Sequence, residues 1–314
     1  MKKIEVLLST YNGEKYLKEQ LDSLQNQTYK DFEIIARDDG SCDKTLQILK
    51  SYDIKIIEST KNLGAKKSFS TLLEYAVENS DSAYFMFCDQ DDVWNYDKIE
   101  KTLEKMKELE IIHSSEIPLL IHTDLEVVDE NLENISNSMW EYEHILPQYN
   151  SFSRLLIQNT ITGCTMMINR KLALKCLNIP AEAIMHDWWI GLVASHFGKI
   201  SYITIPTIKY RQHDENTIGA KAKNNVSTMK YILDFTYSVV KRDKEYINTL
   251  QVNIDQARNF YKIYKNKLDN KTQNMLEDFC SIKEKTFLKK RIILIKYKLF
   301  KQSLYNTILL WVKI

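Results

Sequence analysis

At 314 residues and a formal net charge of +1, the chain has room for one large domain or a domain with an appendage. It has no overall bias toward nucleic acid, and its 44% hydrophobic and 27% charged residues are an ordinary globular balance. The five cysteines (42, 88, 164, 176 and 280) are scattered without a CxxC pair, which argues against a disulfide framework or zinc knuckle and for a reducing cytosol.

The opening "MKKIEVLLST" is basic, but its apolar run is too short for a signal peptide. No window approaches the roughly 18 apolar residues of a membrane span. Residues 4–10, "IEVLLST", read as a buried strand. A helix follows, with Tyr16, Leu17, Leu21 and Leu24 at three-to-four spacing. "FEIIAR" (32–37) is a second strand ending at Asp38-Asp39-Gly40-Ser41, and "DKTLQILKSY" is a helix with Asp43 as its cap. "IKIIES" (54–59) is a third strand, and helix 66–79 follows the turn "NLG". "YFMFC" (84–88) is a fourth strand, and helix 97–110 comes after the acidic stretch "DQDD". Beyond it, "PLLIHTDLEVVD" (118–129) and "ITGCTMMINR" (161–170) read as strands. "AIMHDWWIGLVASHFG" (183–198) is a helix containing Asp187. "KISYITIPTIKYRQH" (199–213) is a long strand or strand pair ending in Arg211 and His213. From about 226 onward the pattern is helical.

Strands alternating with helices predict βαβ units and a parallel sheet. Ligands in such sheets sit beyond the carboxyl ends of the strands. That rule brings Ser9-Thr10-Tyr11, Asp38-Asp39 and Asp89-Gln90-Asp91 to one crevice. Three carboxylates at the end of a buried strand repel one another and lose hydration, so they call for a cation. Hard divalent ions such as Mg²⁺ and Mn²⁺ take oxygen ligands and share themselves with substrate phosphates. The competing reading is a polar turn, with Asp92 as a helix cap. Asp38-Asp39-Gly40-Ser41 is also ordinary turn chemistry, although an aspartate there can accept a hydrogen bond from a base N–H.

The run "LLSTYNGEKYLKEQLDSLQNQTYKDFEIIARDDGSCDKT", then "NLG", then "FCDQDDVW", resembles the family 2 inverting glycosyltransferases over roughly residues 3–215. Within that family, "DQDDVW", "MHDWW" and "YRQHDENTIG" are most similar to bacterial rhamnosyltransferases, which use dTDP-L-rhamnose. The resemblance implies an α/β GT-A nucleotide-sugar-binding fold, a mostly parallel sheet flanked by helices, over 1–225. A helical C-terminal extension is expected over 226–314. The resemblance sets Thr10 and Tyr11 against the nucleotide, Asp39 on the base and Asp89 near the ribose or metal. Asp91 becomes the direct ligand of Mn²⁺ or Mg²⁺, and His213 approaches the metal or diphosphate. Asp187 takes the position of the general base, and Arg211 faces the diphosphate. Thr162 and Gly163 lie near the acceptor. Trp188 is either a core residue or a platform for a sugar ring. The sequence departs from many relatives at His186, where they carry Glu, and at Tyr96, where they carry Pro.

The implied activity is metal-dependent, inverting transfer of a sugar from a nucleotide-sugar donor to a glycan or lipid-linked acceptor. The expected donor is dTDP-L-rhamnose, with a UDP-hexose as the alternative. A non-catalytic sugar-nucleotide-binding scaffold would lack the Asp-x-Asp or the base, and both positions are filled here. A nucleotidyltransferase would want a Gly-rich basic loop after the first strand, which "STYNGEKYL" does not provide.

Residues 283–314 carry eight lysines and one arginine against one glutamate, interleaved with Phe287, Leu288, Ile292, Ile295, Leu299 and Leu304. This pattern suits an interfacial helix on an anionic membrane surface, or a helix packed on protein. No aromatic stacking platform accompanies it, so no nucleic-acid partner is expected. The localisation that follows is cytoplasmic, peripheral on the inner face of the plasma membrane.

Overall fold

A computed structural model describes residues 3–214, 220 and 244–314. The end of the "YRQHDENTIG" motif (215–219) and the start of the expected helical stretch (226–243) lie outside the described residues.

The chain divides into two compact units. The first is built from 1–147, 161–179 and 185–222. It opens with β1 (Ile4–Thr10), α1 (Leu17–Gln25), β2 (Phe32–Asp38), α2 (Thr45–Leu49), β3 (Lys55–Glu58), α3 (Ala65–Asn79) and β4 (Tyr84–Cys88). β1 pairs in parallel with both β2 and β4, and β2 with β3, so the strands stand side by side in the order β3-β2-β1-β4. The sheet grows outward on one side of β1 and then continues on the other. That reversal opens a crevice beyond the ends of β1 and β4. Both strands are rich in apolar residues because both of their faces are covered, although β1 also carries Glu5, Ser9 and Thr10. Ile4, Val6, Leu7, Leu8 and every residue of β4 are fully buried.

Past β4 come β5 (Val93–Trp94), α4 (Lys98–His113), β6 (Leu119–Val128), β7 (Asn134–Ser136) and α5 (Met139–Tyr142). They are followed by β8 (Met167–Asn169), α7 (Arg170–Lys175), α8 (His186–Phe197) and β9 (Lys199–Arg211), with α6 (Phe152–Leu155) belonging to the second unit. β8 runs antiparallel between β4 and β6, while β6 and β9 are parallel to each other. β9 returns antiparallel to the short β5, which carries the chain just after "DQDD". The sheet is therefore mostly parallel, with antiparallel insertions where the site is assembled.

Three expectations need correction. Residues 161–170 do not form a continuous strand: Gly163–Thr165 is a 3-10 turn and only Met167–Asn169 is strand. Asp43 does not cap the second helix as its N-cap residue, because α2 starts at Thr45. Its carboxylate still caps the helix from one residue further out, accepting the Thr45 N–H at 2.9 Å. The basic tail is not one helix. It breaks into α11 (Phe287–Lys296) and α12 (Leu304–Lys313), with Lys298 at φ +54 between them.

The second unit also contains α9 (Lys244–Tyr264) and α10 (Asn270–Cys280). Asn253 donates to the Leu156 carbonyl at 2.8 Å, and Arg154 to the Lys301 carbonyl at 2.7 Å, tying α6 to the helices that follow. Among the described residues no helix is long and apolar enough to cross a membrane.

Candidate active site

The ends of β1 and β2 are stitched together first. Thr10 stands opposite Asp38, and its hydroxyl donates to the Asp38 carboxylate at 3.2 Å. Ser41 adds its N–H at 3.0 Å and its hydroxyl at 2.6 Å to the same carboxylate. Asp39 is 2% exposed and forms a buried ion pair with Arg37. Its other oxygen accepts the N–H groups of Leu63 and Gly64, each at 2.8 Å. The "NLG" turn is therefore held by Asp39. Three of the about four lone pairs of this carboxylate are taken. Tyr11, one residue past the strand, presents 43% of its surface to solvent.

The acidic stretch after β4 splits into distinct environments. Asp89 is half-buried, and its acid is pushed up to about 7, first by burial and then by the charges of Asp91 and Asp187. Asp187, from α8, reaches the same place through the 3-10 turn: Gly163 lies against Asp187, and Cys164 beside it has its thiol within 4.8 Å of the Asp89 carboxylate. Asp92 is fully buried and held well above the ordinary carboxylate range by burial and by its two acidic neighbours. It is not a helix cap, because α4 starts at Lys98, and it accepts the Arg211 N–H at 3.2 Å. The Cys164 thiol lies against Asp89 and Asp92. Lys98, also fully buried, has its amine drawn down to about 8 by desolvation and stands 4.6 Å from the Trp94 ring centre. Nothing in the sequence marks Lys98 or Cys164. One reads as a surface helix lysine and the other as an apolar filler.

Asp187 lies in the first turn of α8 and is 9% exposed. Its neighbour His186 points into the core against Phe69 and Phe87, at ring-centre distances of 4.3 and 5.4 Å. Burial drives this imidazole down to about 3, so it is neutral. The 3-10 turn is pressed against the same helix start. A Cβ on Gly163 would stand 2.8 Å from the His186 Nε2 and 3.6 Å from the Asp187 Cβ. Thr162, half-buried, precedes that turn and closes it by accepting the Thr165 N–H at 3.0 Å. Trp188 is half-buried, whereas Trp189 is 1% exposed and belongs to the core.

β9 delivers the last two residues. Arg211 does not present its guanidinium to the crevice as expected. It is 2% exposed, donates to the Asp91 carbonyl at 2.8 Å and the Glu130 carbonyl at 2.6 Å, and pairs with Glu19. It also stacks over Tyr16, 4.4 Å from the ring centre. A charge with so little solvent is stable only when its donors are spent, so Arg211 braces the Asp91 loop from behind. His213 packs on the same Tyr16 ring, 4.9 Å between ring centres, with Nε2 2.9 Å from the Asp91 Oδ2. Ligands at right angles around an ion at about 2.1 Å stand about 3 Å apart, so Asp91 and His213 have the separation of two adjacent ligands. The Asp91 carboxylate is a donor suited to Mn²⁺ or Mg²⁺ with phosphate oxygens completing the shell, whereas the His213 imidazole is a softer donor.

Sequence reasoning passed over Gln90 as a spacer. Its amide accepts the Tyr11 N–H at 2.8 Å and donates to the Tyr11 carbonyl at 3.0 Å. The one signal that could have found it is Gly13, where a Cβ would come 2.3 Å from the Gln90 Oε1.

A mostly parallel α/β sheet with a carboxylate-lined crevice at its strand reversal defines a nucleotide-binding type of enzyme. The profile "Glycosyl transferase family 2" matches residues 5–177, more than half of the chain, and the protein belongs to that family. It is 29% identical over 230 residues to the dTDP-rhamnosyl transferase RfbG of Shigella flexneri, covering 68% of this chain and 74% of that one. It is 25% identical over 267 residues to WfgD of Escherichia coli, a UDP-Glc:alpha-D-GlcNAc-diphosphoundecaprenol beta-1,3-glucosyltransferase, covering 82% and 96%. A third relative, the glycosyltransferase RT0329 of Rickettsia typhi, is 26% identical, and the match spans 68% of this chain and 65% of that protein's length. Among solved structures, S. aureus TarS 1-349 in complex with UDP superposes with a TM-score of 0.54 at 19% identity, over 99% of this chain and 90% of that one. The fold is thus the GT-A type expected, with a C-terminal helical region.

Proposed function

We propose that this protein is a metal-dependent, inverting glycosyltransferase that moves a sugar from a nucleoside diphosphate donor to a hydroxyl of a glycan or lipid-linked acceptor. The observation that supports the reading is geometric: the turn at Gly163 lies against Asp187, and its next residue, Cys164, has its thiol within 4.8 Å of the Asp89 carboxylate at the end of β4. Thr10, Tyr11 and Asp39 line the nucleoside end. Asp91 and His213 hold the ion, Mn²⁺ or Mg²⁺. When bound, that ion neutralises the charge growing on the departing diphosphate. Asp187 removes the acceptor's proton as its oxygen attacks the anomeric carbon from the face opposite the diphosphate. One displacement inverts the anomeric centre, so one base is enough. Thr162 and Gly163 line the acceptor side next to Asp187, and Trp188 offers a ring to the sugar.

The donor we propose is dTDP-L-rhamnose, supported by the "DQDDVW" and "MHDWW" motifs and by the likeness to RfbG. A UDP-hexose is the second reading, favoured by the likeness to WfgD and by the TarS structures with UDP and UDP-GlcNAc. The catalytic part is taken as 1–225 and the helical extension as 226–314. In the extension, Phe287, Leu288, Ile292 and Ile295 on α11 and Leu304 on α12 are exposed between lysines. These helices would seat the enzyme on an anionic membrane where a lipid-linked acceptor lies, at the cytoplasmic face. Sedimentation with anionic and neutral vesicles tests this, and equal recovery with both would remove it.

The test of the reaction is a donor screen with Mn²⁺ and Mg²⁺, measuring released dTDP and UDP. Release that depends on metal and is absent from Asp91→Ala is expected. Metal-independent release would overturn the scheme.

A further inference from the structure

Gln90 sits between Asp89 and Asp91, yet its amide is spent on the backbone of the neighbouring strand end. The last backbone partners of β1 and β4 are Leu8 and Cys88. Beyond them, the Tyr11 N–H donates to Gln90 Oε1 at 2.8 Å, and Gln90 Nε2 donates to the Tyr11 carbonyl at 3.0 Å. A side-chain amide can do both at once. A carboxylate cannot donate, and an apolar side chain can do neither. Gly13 leaves room for the arrangement, because a Cβ there would stand 2.3 Å from Oε1 and 2.6 Å from Cδ of Gln90. The far side of the same loop is fixed by Ser41, which accepts the Asn12 N–H at 2.9 Å, and Thr45, which accepts the Gly13 N–H at 2.7 Å. The residue after Gln90 is Asp91, the partner of His213.

We infer that Gln90 is a positioning residue that sets the spacing between the nucleoside seat at Tyr11 and the diphosphate–metal seat at Asp91. The inference rests on the donor reading above. A ligand that spans both seats gains from their connection only when the spacing matches its own length. A ligand that occupies one seat is indifferent to it.

The experiment measures binding to the full chain of a nucleoside monophosphate in EDTA and of the corresponding diphosphate with Mn²⁺, for thymidine and uridine. Two variants break the clamp independently: Gln90→Met removes both hydrogen bonds, and Gly13→Ala displaces the amide while keeping it. Each loses two partly exposed hydrogen bonds, so each is expected to bind the diphosphate–Mn²⁺ pair about tenfold more weakly. Monophosphate affinity is expected to stay at the wild-type value. The double variant is expected to be no weaker than either single one, because both act through one contact. Equal losses for both nucleotides, an unchanged diphosphate affinity or additive effects would each overturn the inference. Wild-type binding with unaltered variants sinks the clamp alone, whereas a wild type that binds neither nucleotide sinks the donor reading with it.

Discussion

His213 and Asp91 lie 122 residues apart in the chain, and their side chains meet at 2.9 Å. The contact depends on β9 running antiparallel to β5, so the residues just before β5 face those just past the end of β9. Mn²⁺ should therefore raise the thermal midpoint of the wild type and leave Asp91→Ala unaffected. His213→Ala should retain a weaker response. A thermal-shift titration at several ion concentrations checks this, and an undiminished response in Asp91→Ala would remove that residue from the ion.

Asp187 is expected to matter for turnover and not for donor binding. Asp187→Asn keeps the shape and removes the base, so kcat should fall by about 10²–10⁴-fold. Donor affinity should stay the same. Steady-state kinetics beside nucleotide binding separate the two, and full activity in the variant would reject the base assignment.

Gly163 is tested by its missing side chain. The new methyl of Gly163→Ala would sit 2.8 Å from the His186 ring, which is wedged against Phe69. Overpacking of this kind costs about 1–3 kcal/mol. The start of α8 must also shift, so kcat should drop alongside stability. Urea unfolding and turnover measured on the same preparation give both numbers.

His122 predicts a pH dependence away from the crevice. It is fully buried beside Trp140 and Tyr202, and burial lowers it to about 3. The unfolded imidazole takes a proton near 6.5 and the folded one does not, so the unfolded state binds more protons between those values. Stability is present above about 6.5 and is lost as pH falls, by about 1.4 kcal/mol per pH unit for this histidine. His186 adds a second loss of the same sign. Asp89 acts in the opposite direction, since its raised acid makes the folded state bind the extra proton, but that effect is common to wild type and variant. His122→Leu should therefore flatten the fall of stability between pH 6.5 and 5. Denaturant melts at several pH values read the slope, whatever the variant's absolute stability.

Much of the first unit was legible before any coordinates. β4 begins and ends where its apolar run does, because a strand covered on both faces has few polar residues to blur its limits, whereas β1 runs on through Ser9 and Thr10. Asp89 and Asp91 were legible for the same reason, standing abruptly at the end of such a run. The 3-10 turn at Gly163 was not legible, since a short apolar stretch reads alike as strand, turn or core. The break in the tail was equally hidden, because basic and apolar residues interleave through Lys298 with no Gly or Pro to mark a stop.

The sequence by itself determined the alternation of strands and helices, the acidic strand ends and the residues of the Asp-x-Asp and "HDWW" motifs. These follow from local chemistry: apolar periodicity, turn residues and the cost of unpaired charge. Only the tertiary structure decided which of those charges work at the surface and which are spent inside. Arg211 turned inward to brace the Asp91 loop, Asp92 was buried, and Gln90 joined two loops. Burial and hydrogen-bond partners are properties of position in three dimensions, and residues 80 or 120 positions apart share no local pattern that could announce their meeting.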